Sequence, residues 1–285
     1  MNLTLERMTG GYGPRTVVYD IEFSLDPGEV VCLLGANGCG KTTLFKMILR
    51  LLRPKSGCVR LGGEDIAHWP QRRLARTLAY VPQMHAPPFA FLVRDIVLMA
   101  RAAHLPPFAS PVKSDRRIAD EALDSLGILD LAGARYTEIS GGERQLVLIA
   151  RALAQQAQWL ILDEPAASLD LGNQIKVLRA VRELARSGLG VLMTTHVPDH
   201  AFLYASRVAL MSEGRILAMD TPGMALTETT LRKAYGVEVR VMEIAARPGM
   251  RMVVPSFNNE TSVDREVHAT AGREASATVS SPTCR

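Results

Sequence analysis

Three short apolar runs stand out along the chain: Val30-Val31-Cys32-Leu33-Leu34, Trp159-Leu160-Ile161-Leu162, and residues 190–194. Each is too short for a buried helix and is bounded by polar or glycine-rich segments, so each predicts a strand buried on both faces. Between them the apolar positions switch to helical spacing. Leu44, Phe45, Ile48, Leu49 and Leu52 share one face over 42–52, and Ile118, Ala122, Leu123 and Leu126 share another over 115–126. Further helices are expected over 141–155 and 172–185. Strands alternating with helices in this way predict an α/β fold with a parallel sheet.

The flanks differ from this centre. Residues 1–34 read as short strands broken by Gly10-Gly11, Gly13-Pro14 and Pro27-Gly28; Val59-Arg60-Leu61 and Leu78-Ala79-Tyr80-Val81 look like further strands. From about Gln83 to Glu138 prolines and helical stretches dominate, which reads as a helical insertion. Residues 207–211 and 215–219, joined at Glu213-Gly214, predict a hairpin. Beyond Pro255 the chain is rich in Ser, Thr, Ala and Glu with few large apolar residues, and disorder is expected there. No internal repeat is present.

Composition narrows the class only a little. The 285 residues are 47% apolar, enough for a sizeable core, and 33 basic against 29 acidic residues leave a net charge of +4 with no long run of one sign. Nothing there calls for nucleic acid. The four cysteines form no C-x-x-C pair and no metal-ligand spacing, which fits a reducing compartment. No stretch approaches 18 uninterrupted apolar residues, and the first residues do not resemble a leader, so the chain is expected to be neither exported nor membrane-spanning by itself.

Candidate chemistry changes the picture most. Gly35-Ala36-Asn37-Gly38-Cys39-Gly40-Lys41-Thr42 fits G-x-x-x-x-G-K-[ST] between a predicted strand and a predicted helix. Glycines let successive N–H groups turn toward an anion, and the following helix start adds unpaired donors. Lys41 supplies a charge for the β- and γ-phosphates of a nucleotide, and the Thr42 hydroxyl is placed to ligate Mg²⁺. At the end of the apolar run 159–162, Asp163 is expected to hold the metal and Glu164 to polarise the attacking water as general base. Cys39 inside the loop suggests that thiol alkylation would block nucleotide binding.

Ser140-Gly141-Gly142-Glu143 reads as a capping box opening the helix at 141. Two glycines in a first turn cost about 1 kcal/mol each relative to Ala. Capping alone leaves them unexplained, and close approach of an anion would account for them. Two phosphate sites on different helices cannot easily meet on one triphosphate within a monomer, so a head-to-tail homodimer with ATP in the seam is expected.

Together these motifs, over residues 1 to about 240, resemble the ATP-binding cassette ATPases, the nucleotide-binding subunits of ABC transporters. The resemblance implies a P-loop NTPase core with an antiparallel β subdomain and a helical subdomain at about 84–158, followed by an extension over 241–285. It casts Ile139 to Glu143 as the signature motif facing the partner's γ-phosphate, with Ser140, Gly141 and Gly142 as ligands. It casts Tyr12 as the aromatic that stacks on adenine, and Gln83 as the glutamine that senses Mg²⁺ and the permease. Ser168-Leu169-Asp170 resembles the D-loop, and His196 the switch histidine. Gly35 to Thr42 with Thr43 would cradle the phosphates, with Glu164, His196, Lys41 and Gln83 catalytic and Thr42, Gln83 and Asp163 on the metal. Ile139 replaces the commoner Leu, and Ala166-Ala167 stands where a hydroxyl residue is frequent; neither touches the phosphate chemistry.

The phrasing of 139–155, 169–174 and 194–200 is most similar to the ATPases of metal-chelate importers serving iron siderophores, haem, cobalamin or molybdate, with a siderophore as the leading expectation. The implied partners are integral membrane permease subunits and, indirectly, a periplasmic or extracellular substrate-binding protein. The implied location is peripheral, on the cytoplasmic face of the inner membrane. A DNA-repair ATPase of this class would need a long coiled coil between its motifs, a translation factor two cassettes, and a GTPase an Asn-Lys-x-Asp motif; the sequence has none of these.

Overall fold

The computed structural model describes residues 1–83, 89–245 and 250–256. In chain order the elements begin with β1 (Leu3–Tyr12), β2 (Arg15–Leu25), β3 (Val30–Leu34), α1 (Lys41–Ile48), β4 (Ser56–Leu61) and β5 (Glu64–Asp65). There follow α2 (Gln71–Thr77), β6 (Leu78–Val81), α3 (Val93–Leu98), α4 (Lys113–Ser125), α5 (Gly141–Ala154), β7 (Trp159–Leu162), α6 (Leu171–Arg186) and β8 (Gly190–Thr195). The chain closes with α7 (Pro198–Tyr204), β9 (Arg207–Ser212), β10 (Arg215–Asp220), α8 (Pro222–Ala225), α9 (Glu228–Tyr235), β11 (Val239–Glu243) and β12 (Arg251–Pro255).

The apolar runs form the middle of a six-stranded sheet in the order β10-β9-β3-β8-β7-β6, parallel except for the edge pair β9–β10. β3 is buried along its whole length, and its alternate residues serve two cores. Val30, Cys32 and Leu34 face one packed with α5, α6 and the helices between β6 and β7; Val31 and Leu33 face another packed with α1. The second core is closed by an antiparallel sheet, β2-β1-β4-β5, so α1 lies between two sheets. Both the helices over 93–133 and the antiparallel sheet share core with the parallel sheet.

Two expectations need correction. β1 runs through Gly10-Gly11 rather than breaking there; its register with β2 shifts at Met8, Gly10 and Gly11, and the bulges absorb the irregularity. α1 stops at Ile48, short of Leu52, because Arg50 takes a left-handed φ of 57° and the Leu51 and Leu52 N–H groups turn back to the Lys46 carbonyl. The hairpin at Glu213-Gly214 forms as expected, both residues having positive φ as a tight two-residue turn requires. The segment beyond 256, expected to be disordered, lies outside the described residues.

Candidate functional site

The C-terminal ends of β3, β7 and β8 open on one side of the sheet, where ligands bind in open α/β folds. A cavity of about 590 Å³ sits there, within the size range of small-molecule sites. Asn37, Gly38, Gly40, Lys41, Thr42 and Thr43 line one wall; Gln83, Glu164, Ala167, Ser168 and His196 line the other, with Val17 from β2 at the edge.

The first wall is the glycine loop between β3 and α1. Gly40 takes φ 110°, a backbone conformation that side-chain-bearing residues rarely adopt, and precedes α1 with no side-chain cap. Lys41 is 6% exposed, and its ammonium donates to the Gly35 carbonyl at 2.7 Å and the Ala36 carbonyl at 3.2 Å. No carboxylate of the described residues pairs with it. A buried cation held only by carbonyls is incompletely compensated, and an anion such as a phosphate fits what is missing.

The second wall begins at the end of β7. Asp163 is 5% exposed and has hydroxyl partners instead of a cation: Thr194 donates to Oδ1 at 2.7 Å and Thr42 to Oδ2 at 3.3 Å. Tyr80 also faces it; burial first and the Asp163 charge second push the Tyr80 phenol up to about 12. A buried carboxylate with an adjacent hydroxyl and no basic partner is a donor set that suits a hard divalent cation. Glu164 follows with its backbone in the left-handed region at φ 47°, and Ser168 does likewise at 61°. Such conformations cost on the order of 1 kcal/mol or more in a non-glycine residue, and here both belong to one loop of the site. The Glu164 carboxylate accepts from Gln83 Nε2 at 3.1 Å and lies 3.2 Å from His196 Nδ1, while its N–H donates to Thr194 Oγ1 at 2.8 Å.

Most of the predicted residues therefore meet. Gly35 and Ala36 contribute the carbonyls under Lys41. Tyr12 stands beside α1, its hydroxyl bonded by Thr43 and then Lys46, which together hold the phenol below its usual range; Lys46 also lies 5.5 Å from the ring centroid. Cys39 lies inside the loop with little exposure. It is 9% exposed and burial pushes its thiol up, so it is not an activated nucleophile.

Ser140, Gly141, Gly142 and Asp170 do not line the cavity. Ser140 and Glu143 cap α5 reciprocally, at 3.3 and 2.7 Å. Asp170 caps α6 through the Asn173 N–H at 2.9 Å. Gly142 has a packing role of its own: a Cβ there would overlap Asn173, so α5 sits close on α6 at this point. Gly141 has only Leu169 nearby at 3.8 Å and keeps the helix tip open. Thr194, which fixes Asp163 and Glu164 at once, went unnoticed in the sequence; its one signal there is a hydroxyl residue inside an otherwise apolar strand.

A family model described as ABC transporter matches residues 18–167. An uncharacterised ABC transporter ATP-binding protein of Haemophilus influenzae is 41% identical over 235 residues, covering 82% of this chain and 89% of the relative. A hemin import ATP-binding protein of Nocardia farcinica is 38% identical, over 90% of this chain and 88% of its own. Among solved structures, an inward-facing conformation of a metal-chelate type ABC transporter superposes with a TM-score of 0.80 at 32% identity, covering 90% of this chain and 98% of that one.

Proposed function

Because the chain belongs to the ABC transporter family of ATP-binding proteins and is an ATPase of that family, we propose that it hydrolyses Mg-ATP in a seam between two copies and so powers import of a metal chelate of the haem class. The membrane path belongs to separate permease subunits, since no helix among the described residues is long and apolar enough to span a bilayer. The protein works from the cytoplasmic face of the membrane, with a substrate-binding protein delivering cargo on the other side.

The observation that carries this reading is the make-up of the cavity. Lys41, Thr42, Gln83, Glu164 and His196 line it, while the Ser140 helix tip does not. One copy thus offers half of a phosphate grip, and a second copy supplies the other half from its own Ser140 and Gly141. Lys41 neutralises phosphate charge from below the loop. Thr42 and Asp163 would hold Mg²⁺, which would supply Lewis-acid polarisation of the phosphate oxygens. Glu164 takes the proton of the attacking water, and Gln83 and His196 hold its carboxylate in place from two sides. Val17 lies at the edge of the cavity, and Tyr12, beside α1, is the aromatic that would stack on the base. For the cargo, the hemin import relative favours haem over the siderophore expected from sequence phrasing, and the metal-chelate neighbour supports the wider class.

Glu164→Gln tests the chemistry. Turnover should fall by about 100-fold or more, the usual weight of a general base, while ATP affinity stays within about threefold. With ATP the variant should elute as a dimer; wild-type turnover removes Glu164 from the role, and a monomer with saturating ATP removes the shared seam. A strain lacking the gene should fail to grow on haemin as sole iron source yet grow on a ferric siderophore. The opposite pattern rejects haem.

A further inference from the structure

The turn that carries His196 is tied from the C-terminal side of the chain. α7 begins two residues after His196, and β12 packs on it. Val241 and Val253 face each other across the β11–β12 hairpin. Both direct their N–H groups outward, as a non-hydrogen-bonded antiparallel pair does, and each is captured by a carboxylate. Val241 donates to Glu228 Oε1 at 3.2 Å, and Val253 to Asp199 Oδ1 at 2.9 Å. Glu228 sits in the first turn of α9 and Asp199 in the first turn of α7. The hairpin therefore bridges α9 to the helix that continues directly from the His196 turn.

A second tie comes from the other end of α9. The Tyr235 hydroxyl points to the His196 carbonyl oxygen at 3.5 Å, a long contact. Burial, with Cys39 next among the causes, pushes the Tyr235 phenol up, so it remains a neutral donor at physiological pH. From inside, Thr195 completes the grip: its hydroxyl accepts from the Val197 N–H at 3.1 Å and lies 3.3 Å from His200 Nδ1. The inner ties belong to β8 and α7 themselves. The outer two, at His196 and Asp199, join the turn to the last elements of the fold.

We propose that Asp199 and Tyr235 are positioning residues for His196: through them the α9–hairpin unit sets where the imidazole stands against Glu164, and thereby the rate of hydrolysis rather than the affinity for ATP. The proposal rests on the assignment of Glu164 and His196 made above. The Asp199 bond is the shorter and carries more of the effect.

The test uses the full-length protein. Asp199→Ala and Tyr235→Phe should each lower kcat by roughly three- to tenfold, the weight of one or two positioning hydrogen bonds, with KM for ATP within twofold. Asp199→Asn keeps an oxygen that accepts the Val253 N–H, so its kcat should return close to wild type. In Tyr235→Phe, which alters no charge, the His196 imidazole resonance in a histidine-labelled NMR spectrum, assigned by its loss in His196→Ala, should shift. An Asp199→Asn loss as deep as that of Asp199→Ala, an unmoved His196 resonance, or losses confined to KM would each overturn the proposal. Glu164→Gln and His196→Ala separate the two levels. If both turn over like wild type, the site assignment fails and the clamp with it; if both are inactive while Asp199→Ala and Tyr235→Phe are unaffected, only the clamp fails.

Discussion

α1 and α5 both open on glycines, and they open in different ways. α1 follows Gly40 with no side-chain cap, faces the cavity and keeps the buried Lys41 ammonium behind its loop. α5 follows Ser140, satisfies its own first turn through the Ser140–Glu143 capping box, and lies off the cavity. The same residue type serves different ends at the two places. Gly40 supplies a left-handed backbone, Gly142 makes room for Asn173, and Gly141 leaves a tip uncovered. A helix start becomes an anion site where the protein leaves donors and charge uncompensated, which holds at α1; at α5 it would hold only for the nucleotide of the proposed second copy.

The largest effect that would break this contrast is at α1. Lys41→Ala removes the buried ammonium of the cavity wall and should weaken ATP binding by roughly 10- to 100-fold, the weight of one charged hydrogen-bonding contact to phosphate, as read by nucleotide titration. An equal loss from changing Ser140 would erase the difference between the two helix starts.

The α5 glycines sharpen the contrast against each other. Gly142→Ala would collide with Asn173 and should cost about 1–3 kcal/mol in denaturant unfolding. Gly141→Ala meets no such wall and gains helix propensity, so stability should hold or rise by up to about 1 kcal/mol while turnover falls. If Gly141→Ala kept full ATPase activity in the dimer, the open tip would have no phosphate to serve.

A third helix start gives the smallest effect. α4 is capped by Asp115, whose Oδ2 accepts the Val112 N–H at 3.0 Å while Oδ1 pairs with buried Arg101 at 2.9 Å. The Val112 N–H first, then Arg101, hold this carboxyl below the usual carboxylate range. A folded value below the unfolded one means that the stabilisation is complete above the unfolded value and disappears as pH falls through the folded one. Asp115→Asn should therefore lower the melting temperature at pH 7, and the gap to wild type should close as the pH drops below about 4. A gap independent of pH would assign the effect to packing.

Much of the site was legible because its chemistry is local. The phosphate loop, the Asp163-Glu164 pair and the Ser140–Glu143 cap are each set within a few residues, where backbone geometry follows from residue type. How buried Cys39 is could not be read from the motif because exposure is not a local property: the Met211 strand and the core around α1 help to cover the thiol. Thr194 was passed over for a related reason. Its two bonds reach Asp163 and Glu164, about thirty positions back in the chain, and only the parallel pairing of β7 and β8 brings them together.

By itself, then, the order of residues determined which segments become strand and helix, where the glycine cradle lies, and which side chains carry charge into it, since periodicity and turn chemistry act over short spans. The tertiary structure alone decided that Lys41 rests on carbonyls, that Gly142 yields to Asn173, and that the last hairpin grips the His196 turn. Those outcomes depend on which distant surfaces exclude water together, and burial of that kind is settled only when the sheets and helices have packed.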